Sequence, residues 1–268
     1  MKKVVLLTIG QPSTNPRLVK EADKLQASSF DVYVIYAYRT RWAWESDKLL
    51  LSISKWTPLL VGGSPYENKT LFFFTRLRAK IFGYIAKNIT LKFGIAEIAI
   101  GRTYPNLLRK AKSIKADLYI AHTLAALPAA IYAAKKNNAK SGFDAEDFHR
   151  QEIDDDPTSF HYRISKYIED KYLTIVDYVT TSSPIISQNY ASLYNRNVTC
   201  ILNVFPKKTL LKKSISDING PIKLFWFSQN ISPNRGLEDI IGALKLVEKG
   251  YFELHLLNLD THLKLSHL

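Results

Sequence analysis

Cysteine is nearly missing from this chain: Cys200 is the only one in 268 residues. A disulfide framework and a thiolate metal site are both excluded. Cys200 lies in the apolar run VTCIL and is expected to be a buried, inert thiol. No run of about 18 apolar residues occurs, which argues against a membrane-spanning helix. The N-terminus enters directly into a strand-like run, Val4 to Ile9, too short for the core of a signal peptide, so a cytoplasmic location is expected. A GxGxxG fingerprint is also lacking; a lone Gly10 follows the first apolar run. Acids are outnumbered, with 24 Asp and Glu against 37 Lys and Arg and a formal net charge of +13. That balance points to an anionic partner. Neither zinc-finger spacing nor an RNA-recognition aromatic motif accompanies the cations, so no nucleic-acid partner is expected.

With 46% hydrophobic residues, there is material for a substantial core. Two stretches look alike: KKVVLLTIGQPSTNPRLVKEADKL at Lys2 to Leu25 and PIKLFWFSQNISPNRGLEDIIGALKLV at Pro221 to Val247. Each is an apolar run, a loop rich in Gly, Ser, Asn or Pro, and an amphipathic helix, the pattern of a mononucleotide-binding α/β unit. One complete α/β domain and the start of another are therefore expected. Between the two, FDVYVIYAY, ADLYIAH, KSGFDAED, VDYVTTSS and VTCILNVF read as strands, and LPAAIYAAKKNN, Ser159 to Leu173 and SPIISQNYASLY as helices. Such alternation predicts a parallel sheet covered on both faces. RTRWAWESD reads as a polar loop whose Trp42 and Trp44 fold back onto the domain, and KKTLLKKSISDING as a polar connector.

The positive charge is concentrated. Ten Lys or Arg fall between Arg76 and Lys115 against one acid, Glu97. Leu71 to Ile114 reads as mostly helical, with breaks near Gly94 and Tyr104-Pro105. In its first part, Leu71 to Phe93, cations alternate with Phe, Leu, Ile and Tyr. Two readings stand: a helix lying on an anionic bilayer surface, or an ordinary helix with its apolar stripe in the core and its basic face in water.

Ligands of parallel α/β sheets bind beyond the carboxyl ends of the strands. That rule collects Gly10 with Gln11 to Asn15, His122 with Thr123, the segment Asp144, Glu146, Asp147 and His149, then Ser182, Ser183, Asn203, and Ser228 to Gly236. Gly10 permits close backbone approach, and the helix after it offers unpaired N–H groups to an anion. Arg235-Gly236 puts a guanidinium and a helix N-terminus at one point, which suits a diphosphate. Asp144, Glu146, Asp147 and His149 crowd one strand end and are candidates for acid-base work; the alternative is that an aspartate caps a turn and His149 is merely exposed. His122 is a lone strand-end histidine, open to a structural or a functional role. Asp154 to Asp156 precede Pro157 and a helix start, which reads as a solvated acidic cap rather than a metal site.

Five stretches, NPR at Asn15 to Arg17, ADLYIAHTLAALPAA, GFDAEDFHRQE, the VTTSS to ILNVF segment and FSQNISPNRGLEDII, together resemble retaining glycosyltransferases of the GT-B fold, family four. The resemblance runs from Lys2 to about Leu257. It implies an α/β, GT-B-like fold: one complete Rossmann-like acceptor domain at 1–203, a linker at 204–220, and an incomplete donor-binding domain at 221–268 with the first β-α-β of its sheet. It further implies transfer from a nucleotide-sugar to a polysaccharide or lipid-linked acceptor, with no cofactor or metal. Glu146, Asp144 and His122 would be catalytic, Gly10, Ser228, Arg235 and Gly236 would hold the donor phosphates, and Asn15, Arg17, Asp147 and His149 would lie on the acceptor side. The chain departs from the pattern at Glu146, where many relatives carry histidine, and at Gln229, where they often carry arginine. NLDTHLKLSHL matches nothing expected after the second strand of a donor domain, so a truncated domain with unpartnered apolar faces and impaired activity is expected. A binding module that docks on an anionic inner membrane face, or pairs with a separate donor-binding chain, is the alternative.

Overall fold

The computed structural model describes residues 1–204, 220–228, 231, 236–247, 251–257 and 262–265. They belong to two compact units, Met1–Val204 and Phe205–Leu268. In the first, strands β1 (Lys3–Leu7), β2 (Asp31–Ala37), β3 (Thr57–Val61), β4 (Leu118–Ala121), β5 (Lys140–Ala145), β6 (Tyr178–Thr181) and β7 (Thr199–Cys200) form a single sheet. Its order is β3-β2-β1-β4-β5-β6-β7, and all neighbours are parallel. The inner strands are near-continuous apolar runs because helices cover both faces. Val4, Leu6, Val32 and Val34 meet Leu18 and Ala22 of α1 (Pro16–Ala27) on one side. Val5, Leu7, Tyr119 and Phe143 meet α5 (Tyr104–Ser113), α6 (Leu127–Asn137) and α7 (Phe160–Tyr172) on the other. The chain crosses the sheet between β3 and β4, so the strand order reverses at the β1/β4 boundary, where α/β folds place their ligands.

Several elements differ from the sequence reading. RTRWAWESD is the start of a helix, α2 (Arg41–Ile53), with Ala43 and Asp47 buried. Trp44 does fold back, stacked on Tyr66 at 5.2 Å between ring centroids, whereas Trp42 is 38% exposed. Strand β3 escaped notice because TPLLV carries Pro58; the strand is the edge of the sheet, where a missing amide hydrogen costs little. Cys200 is half-buried, because β7 is two residues long and sits at the opposite edge. The helical stretch breaks where expected, into α3 (Lys69–Asn88), α4 (Ile95–Ile100) and α5, with Gly94 left-handed at φ +82° and Pro105 in the first turn of α5. Asp156 is an exposed cap that accepts from the amide and hydroxyl of Thr158.

In the second unit β8 (Ile222–Phe227) and β9 (Phe252–Leu257) pair in parallel, with α9 (Leu237–Leu244) between them in sequence. A strand the sequence did not suggest, β10 (His262–Leu265), adds antiparallel to β9. Leu237, Ile240, Ile241 and Leu244 pack on Leu224, Trp226, Leu254 and Leu256. Phe225 and Phe227, which point the other way, are 63% and 77% exposed. Most of the expected linker lies outside the described residues.

One close packing in the first unit is directly testable. Gly142 of β5 lies opposite Tyr178 of β6, and a Cβ at Gly142 would sit 2.2 Å from the ring carbon Cζ of Tyr178. Gly142→Ala is expected to lower stability by about 1–3 kcal/mol through overpacking, read as a lower urea midpoint, with Tyr178→Ala in the same chain recovering part of the loss. An unchanged midpoint in the single variant would show that the ring moves aside freely.

Candidate functional site

The site is assembled from the segments immediately after β1, β4 and β5. After β1 the chain makes a loop, Gly10 to Asn15, locked by polar contacts rather than left open. Gln11 is fully buried; its amide nitrogen donates to Asp47 at 3.1 Å, and its oxygen accepts from the amides of Arg39 and Thr40 at 2.8 and 2.7 Å. Asp47 also accepts from the Ser13 amide at 2.9 Å. A Cβ at Gly10 would meet the Thr14 hydroxyl at 3.1 Å, so the glycine lets the loop close on itself. The anion cradle expected at the start of α1 is largely used up. Pro16 has no amide hydrogen, the Leu18 amide is capped by Asn15 at 2.9 Å, and the Val19 amide bonds the Asn15 carbonyl.

Arg17, the second residue of α1, is buried against Asp144 of β5. Its Nε lies 2.5 Å from Oδ2 and its Nη2 2.8 Å from Oδ1, a bidentate pair. The same guanidinium reaches the carbonyls of Ile201 at 2.5 Å and Thr181 at 3.4 Å, past the ends of β7 and β6. Asp144 also accepts from the Thr180 hydroxyl at 2.5 Å. Burial disfavours its charge, but Arg17, His122 and Thr180 outweigh burial and hold its carboxyl below the usual range.

His122 is the residue after β4, tied to β1 by its amide at 2.9 Å from the Leu7 carbonyl. Its ring is fully buried, with Nε2 2.6 Å from Glu21 and Nδ1 3.5 Å from Asp144 and 3.7 Å from Glu146. Burial alone would push its pKa down; Glu146, Glu21 and Asp144 together push it up to about 9. The ring is therefore an imidazolium at neutral pH. Glu21 was not among the expected site residues, although its spacing from Arg17 puts both side chains on one face of α1.

The FDAEDFH segment splits. Asp144 and Glu146, two residues apart at the end of a strand, both turn toward His122. Asp147 is exposed, and His149 turns away to Glu152 at 2.7 Å. The chain after them is pinned by a pair that sequence reasoning missed: Arg150 to the fully buried Glu169 of α7 at 2.6 Å, with the Tyr190 hydroxyl on the other Glu169 oxygen at 2.7 Å. Ser182 donates to the Glu146 carbonyl at 2.5 Å, Ser183 caps α8 (Pro184–Tyr194), and Asn203 accepts from Lys20 at 3.0 Å. Two buried side-chain atoms in this cluster, His122 Nδ1 and Glu146 Oε1, have no hydrogen-bond partner. The ligand atoms of His122, Asp144 and Glu146 lie within 4.8 Å of one another. Of these three, Asp144 is already held by the Arg17 guanidinium.

In the second unit, Ser228 follows β8 and its amide bonds the Leu257 carbonyl at 3.1 Å. Gly236 precedes α9 at φ +77°. Glu238 and Asp239 fill the first turn of α9, where their charges oppose an anion at that terminus. Arg235 and Gln229 lie outside the described residues.

Solved structures of other proteins share this architecture. The lipopolysaccharide outer core galactosyltransferase WaaB superposes over 95% of this chain and 60% of its own, with a TM-score of 0.52 and 14% identity. HepE (Alr3699) from Anabaena, solved with UDP and glucose, matches over 96% and 60%, with a TM-score of 0.57 and 15% identity. Sucrose-phosphate synthase from Thermosynechococcus elongatus matches over 95% and 62%, at 0.54 and 11%. The fold is GT-B. This GT-B chain spans about 60% of the length of the structures it resembles. No protein-family model and no curated protein sequence matches it.

Two measurements check the electrostatics of the site. His122, raised to about 9, contributes stability that is fully present below about pH 6.5 and lost as the pH climbs to about 9, on the order of 3 kcal/mol. Urea unfolding across that window should show the loss in the natural chain and a flatter profile in His122→Gln; identical slopes would contradict a charged ring. Arg17→Gln leaves Asp144 buried without its partner and is expected to cost roughly 3–5 kcal/mol, whereas Arg17→Met with Asp144→Leu should recover much of it.

Proposed function

We propose that this chain is the acceptor-side part of a glycosyltransferase that moves a sugar from a nucleotide-sugar to a polysaccharide or lipid-linked acceptor. The observation that carries the reading is the buried His122 cluster, with its two unpartnered atoms, at the strand-order reversal of a GT-B fold. UDP-sugars are the donor class favoured, since HepE was solved with UDP-glucose. Membership of family four, and retention of anomeric configuration with it, belong to the same proposal and rest on the sequence resemblance.

The chain's own residues would divide the work. Glu146 is half-buried, with Oε1 buried 3.7 Å from His122 Nδ1 and the rest of its side chain part-exposed, and its carboxylate would accept a proton from an acceptor hydroxyl or orient it. His122, an imidazolium with Nδ1 unpartnered, would donate a hydrogen bond to the sugar or to the departing phosphate. Asp144 is engaged by Arg17 and Thr180 and would position His122 rather than transfer protons. Gly10, Asn15 and Arg17 would shape the wall beneath the substrates, with Asp147 and His149 at its outer edge. Ser228, Arg235 and Gly236 would contribute to donor-phosphate binding.

A second reading, a membrane-docking module, is favoured by one observation. The sequence left open whether α3 turns its apolar stripe inward, yet only Thr75 and Ala86 of that helix are buried. Phe73, Phe74, Ile81 and Tyr84 are 49–68% exposed. Glu97, the one acid of the basic stretch, is buried against Tyr172 and Lys171, so the surface there carries cations alone. Among the described residues no helix is long and apolar enough to cross a membrane. Peripheral attachment to anionic lipid follows from apolar side chains interleaved with Arg76, Lys80 and Lys87.

The deciding assay is release of labelled sugar from UDP-sugars by the 268-residue chain, with and without a membrane extract as acceptor. The isolated chain is expected to turn over little, and any turnover should fall about 100-fold in Glu146→Gln. Turnover indifferent to Glu146 would remove that residue's role, and no turnover under any condition would favour the binding module. Co-sedimentation with phosphatidylglycerol vesicles, but not phosphatidylcholine vesicles, and its weakening by Phe73→Ser with Phe74→Ser, tests the membrane contact.

A further inference from the structure

A cavity of about 660 Å3 opens at the carboxyl ends of β1 and β2, lined by Ile9, Tyr38, Arg39, Phe72, Arg76 and Arg102 among others, and by no carboxylate. Arginines in such numbers normally meet acids. Here, among the described residues, the arginines that form ion pairs are Arg17 and Arg150, both elsewhere. Glu152, which feels the charge of Arg39, is taken by His149 at 2.7 Å.

Neutral groups alone hold the guanidinium of Arg102. It donates to the Thr75 hydroxyl at 2.5 Å, the Gly62 carbonyl at 3.3 Å and the Tyr38 carbonyl at 2.9 Å. The Phe72 ring lies 4.9 Å from Arg102 and 5.6 Å from Arg76. Arg78 stands behind them, donating to the Arg102 carbonyl at 3.3 Å and to Asn106 at 2.9 Å, with its buried Nε unpartnered. Burial, with Arg76 and Arg78 close by, lowers the pKa of Arg102 to about 10. A positive charge is thus set in place without a counter-charge, at a cost that an incoming anion would offset.

A packing role for Arg102 accounts for its carbonyl bonds and its stacking on Phe72. It does not account for Arg39 and Arg76, which are exposed, share the same opening and make no side-chain hydrogen bond of their own among the described residues. Three guanidinium groups lining one cavity suit a tetrahedral oxyanion, which their planar forks can bind through two hydrogen bonds each. We propose that this cavity binds a phosphate-class oxyanion and, resting on the glycosyltransferase reading, that it holds the charged group of the acceptor. The exposed Phe73, Phe74 and Leu77 of the adjoining helix would then receive an apolar portion of the same molecule.

Calorimetric titration of the full chain with inorganic phosphate and with octyl phosphate tests the site without any donor or turnover. Arg39→Gln with Arg76→Gln is expected to weaken binding of both probes about tenfold or more, while the ligand-free melting temperature stays unchanged. Arg102→Lys, which keeps the charge but loses the fork, should weaken binding too. Tighter binding of octyl phosphate than of phosphate would assign the anion to an amphiphile; equal binding would support a hydrophilic phosphate ester at the same cavity. Absence of binding by either probe, or binding that ignores Arg39 and Arg76, overturns the proposal. Loss of the glycosyltransferase reading, seen as no turnover, would leave a positive titration standing and remove only the acceptor assignment.

Discussion

The bidentate pair between Arg17 and Asp144 is the contact on which the first unit's functional end depends. One guanidinium, delivered from α1, fixes a carboxylate on β5 by donating through both Nε and Nη2. It also bonds carbonyls beyond β6 and β7, so four separate segments meet at one planar group. Burial works against a charge on His122, and Glu146 and Glu21 chiefly offset it; Asp144, kept ionised by the pair and 3.5 Å away, adds a smaller share. Removing the arginine would therefore do more than delete a salt bridge; it would leave Asp144 buried without its partner beside the histidine.

The balance of charge limits what the cluster can do. Arg17 and His122 supply two positive charges, and Glu21, Asp144 and Glu146 three negative ones. The surplus negative charge rests on the carboxylates that reach solvent, Glu21 and Glu146, with side chains 35% and 27% exposed. Of the two, Glu146 has one oxygen, Oε1, that is buried beside His122 without a hydrogen bond. A hydroxyl arriving there meets an acceptor whose position is set by the Ser182 bond to its own backbone and by the Arg150–Glu169 pair that anchors the chain behind it. Such preorganisation is the form of catalysis a sugar transfer with no covalent nucleophile would need.

Much of this fold was legible in the sequence because parallel strands buried on both faces are near-continuous apolar runs, as β1, β2 and β4 are. The elements that escaped did so for identifiable reasons. Helix α2 begins among Arg, Trp and Ser, and its buried positions, Ala43 and Asp47, carry no hydrophobic signal. Pro58 disguised β3 until its place at the edge was known. Position at strand ends was enough to collect His122, Asp144 and Glu146 as neighbours, since each lies at the carboxyl end of β4 or of the adjacent β5. Which carboxylates face the histidine depends on the turn after Ala145, and that turn sent Asp147 and His149 away. Glu21 and Glu169 sit in mid-helix, where an acid is the ordinary solvated choice; the burial of Glu169 is decided by a cation distant in sequence.

Opposite fields share one strand end. Ile9, the second residue past β1, lines the arginine cavity, while its amide faces the Thr123 hydroxyl at 3.4 Å, directly beside His122. Thus an uncompensated positive region and a net-negative cluster flank the same short stretch of backbone, Ile9 and Gly10. Any molecule carrying an anion at one end and a hydroxyl at the other is turned one way by that arrangement, since reversing it would bring the anion against Glu146 and leave the arginines facing a neutral group. Orientation of this kind requires no contact specific to a particular sugar. It depends only on which charges flank Ile9 and Gly10.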